Sequence, residues 1–110
     1  MGLMDDNCIF CKVVAGKAPA EKLGETDDLL IIPDISAQAP VHLLFVSKSH
    51  GEELATVDTA KLGRMITRLQ QEIRDRGLTN SSYRIAINGA KATLVHNHLH
   101  IHLLGQVSPQ

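Results

Sequence analysis

A chain of 110 residues with a formal net charge of −1 and 44% hydrophobic residues is the size of one domain, able to bury a core but without room for a second. Near-neutral charge, the lack of a basic run, and aromatics limited to Phe10, Phe45 and Tyr83 argue against nucleic acid or an acidic membrane surface as partner. No stretch approaches a membrane span, and the first residues lack a basic segment followed by an apolar run, so a soluble cytoplasmic protein is expected.

Cys8 and Cys11 are the two cysteines, too few for a disulfide framework. Their C-x-x-C spacing lets two thiols share a metal ion. The same spacing marks thioredoxin-like redox pairs, but those follow a strand, and nothing upstream of Cys8 can be that strand. Two unrelated thiols are the remaining alternative. A tetrahedral metal would need two further ligands, with histidine the natural choice.

Residues 21–25 read as a short strand, and Leu29-Leu30-Ile31-Ile32 as a stronger one stopped by Pro33. Residues 34–40 carry Asp34, Ser36 and Pro40 and form a loop. Residues 41–46 are dense in β-formers, with His42 near the start, and the segment 47–51 containing His50 ends that strand. From Asp58 the period changes. Leu62, Met65, Ile66, Leu69 and Ile73 recur at three and four residues, one apolar stripe of a long helix that Asp58 or Thr59 caps and Gly77 terminates. Arg64, Arg68, Gln71, Glu72 and Asp75 fall largely on the solvent side and read as a wet face with no binding role. Residues 83–87 form a further strand. Asn88-Gly89-Ala90 is a turn signal, which predicts that the strands flanking it are antiparallel neighbours.

The stretch that follows carries the chemistry. In residues 95–105, His96, His98, His100 and His102 occupy every second position, with Leu99, Ile101 and Leu103 between them. Alternation at period two predicts a half-buried strand with the imidazoles on one face, spaced by roughly 6.5 Å. Imidazole serves as base, acid, nucleophile and metal ligand near neutral pH, so such a row predicts a site. The sum is an α+β domain: an antiparallel sheet of about five strands with one long helix covering a face.

His98-Leu99-His100-Ile101-His102-Leu103-Leu104 resembles the signature of the histidine triad (HIT) superfamily, in which three histidines alternate with apolar residues. The likeness extends along nearly the whole chain, through Cys8-Ile9-Phe10-Cys11-Lys12, residues 34–40 with His42, Lys48-Ser49-His50 and residues 88–92, and it is nearest to the small Hint-type nucleotide-binding branch. The resemblance implies a single HIT domain over residues 1–110 and a homodimer whose sheets join edge to edge. It implies a purine nucleotide substrate and a nucleotidyl-histidine intermediate on His100. His102 would position the phosphate and His42 would support the histidine cluster. Asp34 would bind the ribose hydroxyls, Ile35 and Phe10 would lie near base and sugar, and Asn88 would face the phosphate or leaving group. In zinc-carrying members the metal ligands correspond to Cys8, Cys11, His50 and His98, a closed structural zinc.

The chain also departs from the pattern. The family's Gly-Gln-(Ser/Thr)-Val before the triad is replaced by Thr93-Leu94-Val95-His96, which removes a Gln and a hydroxyl that commonly handles the leaving group. His96 is extra, Asn97 stands in a usually apolar place, and Ser47 replaces a common Pro, a change read as neutral. Three functions follow: a hydrolase or transferase acting on purine nucleoside 5′-phosphoramidates or related esters, a dinucleoside polyphosphate hydrolase, or a catalytically weak nucleotide- and zinc-binding protein.

Overall fold

The computed structural model describes residues 7–89, 92 and 98–109. The order of elements is α1 (Ile9–Val14), β1 (Gly24–Glu25), β2 (Leu29–Pro33), β3 (Val41–Ser47), α2 (Thr59–Asp75), a 3-10 turn (Leu78–Asn80), β4 (Tyr83–Ala86) and β5 (His100–Gly105). The strands make one five-stranded antiparallel sheet in the order β1-β2-β3-β5-β4. This is the α+β architecture that the sequence predicts.

Period-two alternation sorts the sheet into two faces. Leu29 and Ile31 of β2, Leu43 and Phe45 of β3, and Ile101 and Leu103 of β5 pack with Met65, Leu69 and Ile73 of α2 in the larger core. The opposite face carries Leu30, Ile32, Leu44 and Val46, with Phe10 and Cys11 of α1 packed on them. Because both faces of β2 are covered, its Leu-Leu-Ile-Ile run is apolar throughout and shows no alternation. Cα pairing of Leu44 with His102 and of Val46 with His100 puts those histidines on the α1 side, next to aliphatic neighbours.

Helix α2 begins where the sequence indicates. The Asp58 carboxylate accepts the Lys61 backbone N–H at 3.1 Å, and Gly77 takes φ of +67° after the last turn, a conformation that an L side chain resists. Glu72 differs from its reading as a solvent-side charge. It is 8% exposed, held by Arg68 at 2.9 Å and Arg76 at 2.6 Å, so α2 carries a largely buried ion-pair cluster on its flank.

Three further features depart from the sequence reading. Helix α1 is an additional element, and six residues are too few for a periodic stripe to show. Strand β5 begins at His100, while His98 makes an isolated parallel bridge with Glu52. β4 and β5 are antiparallel neighbours as the turn signal indicates, but residues 87–99 separate them. His96 and Asn97, with the replaced residues 93–95, lie outside the described residues.

Candidate active site and metal cluster

The loop between β2 and β3 folds back on His42. Asp34 N–H donates to the His42 carbonyl at 3.0 Å, Ser36 N–H donates to Asp34 Oδ1 at 2.8 Å, and Gln38 N–H donates to His42 Nδ1 at 3.0 Å. A backbone amide can only donate, so His42 Nδ1 is an acceptor and the proton of the neutral ring sits on Nε2. That Nε2–H lies 2.9 Å from His102 Nδ1 and 3.2 Å from Asp34 Oδ2. His102 Nδ1 is thereby the acceptor, and its own proton is on Nε2. His102 Nε2 is buried and, among the described residues, is a side-chain nitrogen without a hydrogen-bond partner. An unpaired buried donor is costly, so this N–H is a place for a ligand oxygen.

His100 is fixed the other way round. Its Nδ1–H donates to the His98 carbonyl at 2.9 Å, which leaves Nε2 with a lone pair. The His100 ring lies tilted at 4.7 Å from Phe10 and edge-on at 5.2 Å from His102, centroid to centroid. Burial lowers the His102 pKa below the ordinary value; cationic His100 and His42 would lower it further, while Asp34 opposes them.

His100 and His102 open into a cavity of about 600 Å³. Ile9, Phe10 and Val13 of α1, with Ile32, Ile35 and Leu44, give it an apolar wall; Asp34 and Asn88 also line it. Phe10, Asp34, Ile35 and Asn88, which the resemblance implies contact substrate, and His100 and His102, which it implies are catalytic, all line this cavity. His42 stands behind His102. A second hollow of about 490 Å³ lies between residues 26–28 and α2, but its Arg64 is bidentate to Asp28 and its Arg68 is paired with Glu72.

The thiols lie on the other side of Phe10. Cys8 Sγ and Cys11 Sγ are 3.3 and 3.5 Å from His98 Nδ1, and Cys11 Sγ is 3.4 Å from His50 Nδ1. His98 Nε2–H donates to the Ser47 carbonyl at 2.7 Å, which turns the Nδ1 lone pair toward the sulfurs. Burial pushes the His98 pKa down to about 4, so the ring is neutral at pH 7 as a ligand must be. A tetrahedral ion with bonds of about 2.3 Å to sulfur and 2.0–2.1 Å to nitrogen separates S from N by roughly 3.5 Å. The observed spacings fit, and the four ligand atoms lie within 4.8 Å of one another. Asp34, His42 and His102 also cluster within that distance, but the proton on His42 Nε2 occupies the lone pair that an ion would need.

The family model of the HIT domain matches residues 15–108. The chain belongs to the HIT family. Among its relatives, Protein HitA of Neisseria gonorrhoeae is 34% identical over 103 residues, covering 91% of this chain and 96% of that protein. A HIT-like protein of Synechococcus elongatus is 37% identical over 106 residues, covering 93% and 92%. In three dimensions the chain matches a HIT family hydrolase from Legionella pneumophila with TM-score 0.84 at 31% identity, over 94% of this chain and 96% of that one. It matches a histidine triad nucleotide-binding protein from Candida albicans with TM-score 0.78 at 28% identity, over 94% and 84%.

The HIT match begins after Cys8 and Cys11, so the sulfur half of the metal cluster precedes the matched span. Sequence reasoning missed three contributors. Gln38 acts through its backbone amide, which no side-chain pattern displays. Ser47 is fully buried, and its Oγ accepts from Lys61 Nζ at 2.8 Å; Lys61 is in turn 2.6 Å from Glu52, so the Pro-to-Ser change is tied into a polar network and is not neutral packing. The α1 wall of the cavity belongs to a helix of six residues, too short to show a periodic stripe.

Proposed function

We propose that this HIT protein is a nucleotide hydrolase or transferase that cleaves purine nucleoside 5′-phosphoramidates or related esters through a nucleotidyl-His100 intermediate. The observation that carries the reading is the fixed protonation of the triad. His100 offers a lone pair on Nε2 into the cavity, and His102 offers beside it an Nε2–H that is unpaired among the described residues. In the first step the His100 lone pair forms a P–N bond, and the bond to the leaving group breaks with its electron pair departing. His102 Nε2–H stabilises the phosphoryl oxygen charge. The ring, now cationic, keeps its Nδ1–H on the His98 carbonyl, a charge-assisted bond that favours the intermediate. Water then forms the new P–O bond as the P–N bond breaks and His100 regains its lone pair; the proton that water loses balances the one that the leaving group takes up.

The cavity's size falls in the range of nucleotide-sized sites, and its apolar α1 wall suits a purine ring, with Asp34 placed for the sugar. We further infer one structural zinc per chain on Cys8, Cys11, His50 and His98, which would tie α1 to the triad and leave no open coordination position. A cytoplasmic homodimer of single HIT domains, sheets joined edge to edge, completes the reading. No helix among the described residues is long and apolar enough to cross a membrane.

Incubation with adenosine 5′-phosphoramidate and with diadenosine polyphosphates, next to His100→Ala, tests this. The expected result is AMP release from the phosphoramidate that the variant loses. Cleavage confined to the dinucleotides would move the assignment to a polyphosphate hydrolase, and AMP binding without turnover of either would reduce it to a binding protein.

A further inference from the structure

Asp34 is assigned to the ribose by resemblance, yet its carboxylate is already engaged. Oδ1 accepts from Ser36 N–H, and Oδ2 lies 3.2 Å from His42 Nε2 and 3.9 Å from His102 Nδ1. The carboxylate is 17% exposed, so water only partly screens it. The question is what happens when the histidine pair takes up a proton.

His42 cannot take that proton on Nδ1, because the Gln38 amide already points its hydrogen there. The extra proton therefore goes to His102 Nδ1. Two N–H groups then face each other across the 2.9 Å between His42 Nε2 and His102 Nδ1, and each needs an acceptor. Asp34 Oδ2 is within hydrogen-bond distance of His42 Nε2 at 3.2 Å, and its charge lies 3.9 Å from His102 Nδ1. The other titratable groups around His102 do not supply one: His100 is a like charge when protonated, and Glu21 lies at the exposed mouth of the cavity.

We propose, on the footing of the hydrolase reading, that Asp34 is a positioning residue for the histidine pair: its Oδ2 accepts from His42 Nε2–H, and its negative charge, 3.9 Å from His102 Nδ1, permits a cationic His102 beside the phosphate. A cationic His102 holds the phosphoryl oxygens more strongly than a neutral one and has a proton to give on Nε2. Binding of a ribose hydroxyl to the same carboxylate would then act on the charge of the pair as well as on the sugar.

The test is a ¹⁵N-histidine NMR titration of the metal-loaded, nucleotide-free protein. In the wild type, His102 gains its second proton on Nδ1 while His42 stays neutral with its proton on Nε2. Asp34→Asn, which keeps the size and the Ser36 contact, lowers the His102 midpoint by about one pH unit or more, the scale set by an opposite charge at this distance. Asp34→Glu restores most of that shift. With substrate, the acid limb of the kcat profile moves down with the midpoint, and it does so for a 2′,3′-dideoxy substrate too. A midpoint unchanged within about 0.3 unit in Asp34→Asn, a wild type in which His42 titrates first, or a rise in KM alone overturns the proposal. The titration needs no turnover, so it decides this point even if the protein releases no nucleotide, an outcome that bears on the hydrolase reading alone. If Asp34→Asn does not fold, the wild-type order of protonation still decides.

Discussion

Replacing Phe10 by Ala tests whether α1 is a structural and functional part of the site. Phe10 is 8% exposed, packs with Leu30, Ile32, Leu44 and Val46, and lies 4.7 Å from His100 and 5.5 Å from His98. Buried Phe→Ala changes cost about 3–5 kcal/mol. The void would open on the substrate cavity and admit water, which places this site near the lower end, about 3 kcal/mol. For a domain of this size that lowers the melting temperature by roughly 12–20 °C. Phe10→Leu, which keeps most of the volume, is expected to lose only about 1–1.5 kcal/mol. Urea unfolding at fixed excess metal measures the difference without mixing in metal linkage. Because the ring also walls the cavity, nucleotide affinity falls about five-fold in Phe10→Ala. A loss under about 1 kcal/mol with an unchanged m-value would refute docking of α1 on the sheet.

Metal analysis of protein purified without chelators is expected to give about one zinc per chain, and Cys11→Ser to lose it together with thermal stability; less than about half an equivalent in the wild type sinks the zinc assignment. Glu72→Gln is expected to cost about 1–2 kcal/mol at pH 7, a moderate figure because Arg68 and Arg76 are 20% and 34% exposed and can turn to water. Burial pushes the Glu72 carboxyl up, and Arg76 and Arg68 together bring it below its ordinary value. The pair's stabilisation is therefore full above an unfolded-state pKa of about 4.3 and fades as pH falls through the lower folded value. Denaturation of wild type and variant must converge in acid; a gap that widens there contradicts the assignment. Gly105→Ala is expected to destabilise by about 1–3 kcal/mol in thermal melts, because a Cβ there would lie 2.9 Å from Val41 Cβ, which cannot swing aside. A neutral Gly105→Ala would show that β3 and β5 separate more easily than their pairing implies.

The sequence by itself determined the sheet and the long helix, and with the family resemblance it named the candidate site residues. Period-two alternation in residues 98–103 sorts Leu99, Ile101 and Leu103 from His98, His100 and His102 because consecutive side chains on a strand must face opposite ways. The apolar stripe from Leu62 to Ile73, and its Asp58 cap, are equally local consequences of helix geometry. The proposed metal set was legible once the resemblance supplied His50 and His98 as partners for the thiols, since ligand chemistry is written in residue type.

Tertiary structure decided how each of these groups is placed and hydrogen-bonded. Helix α1 exists because Phe10 and Cys11 have a sheet face to cover, and six residues carry no period of their own. Glu72 is buried because Arg68 and Arg76 close over it, which charge type alone cannot reveal. Above all, the three triad histidines are identical in residue type, yet His100 holds its proton on Nδ1 while His98 and His102 hold theirs on Nε2. The partners that impose this are the His98 carbonyl on His100, the Ser47 carbonyl on His98, and the Gln38 amide acting on His102 through His42. Each is a backbone group, common to every residue and therefore silent in the sequence. Only the folded chain brings them within hydrogen-bond distance and so sets the three imidazoles apart for the roles proposed: metal for His98, phosphorus for His100 and phosphate for His102.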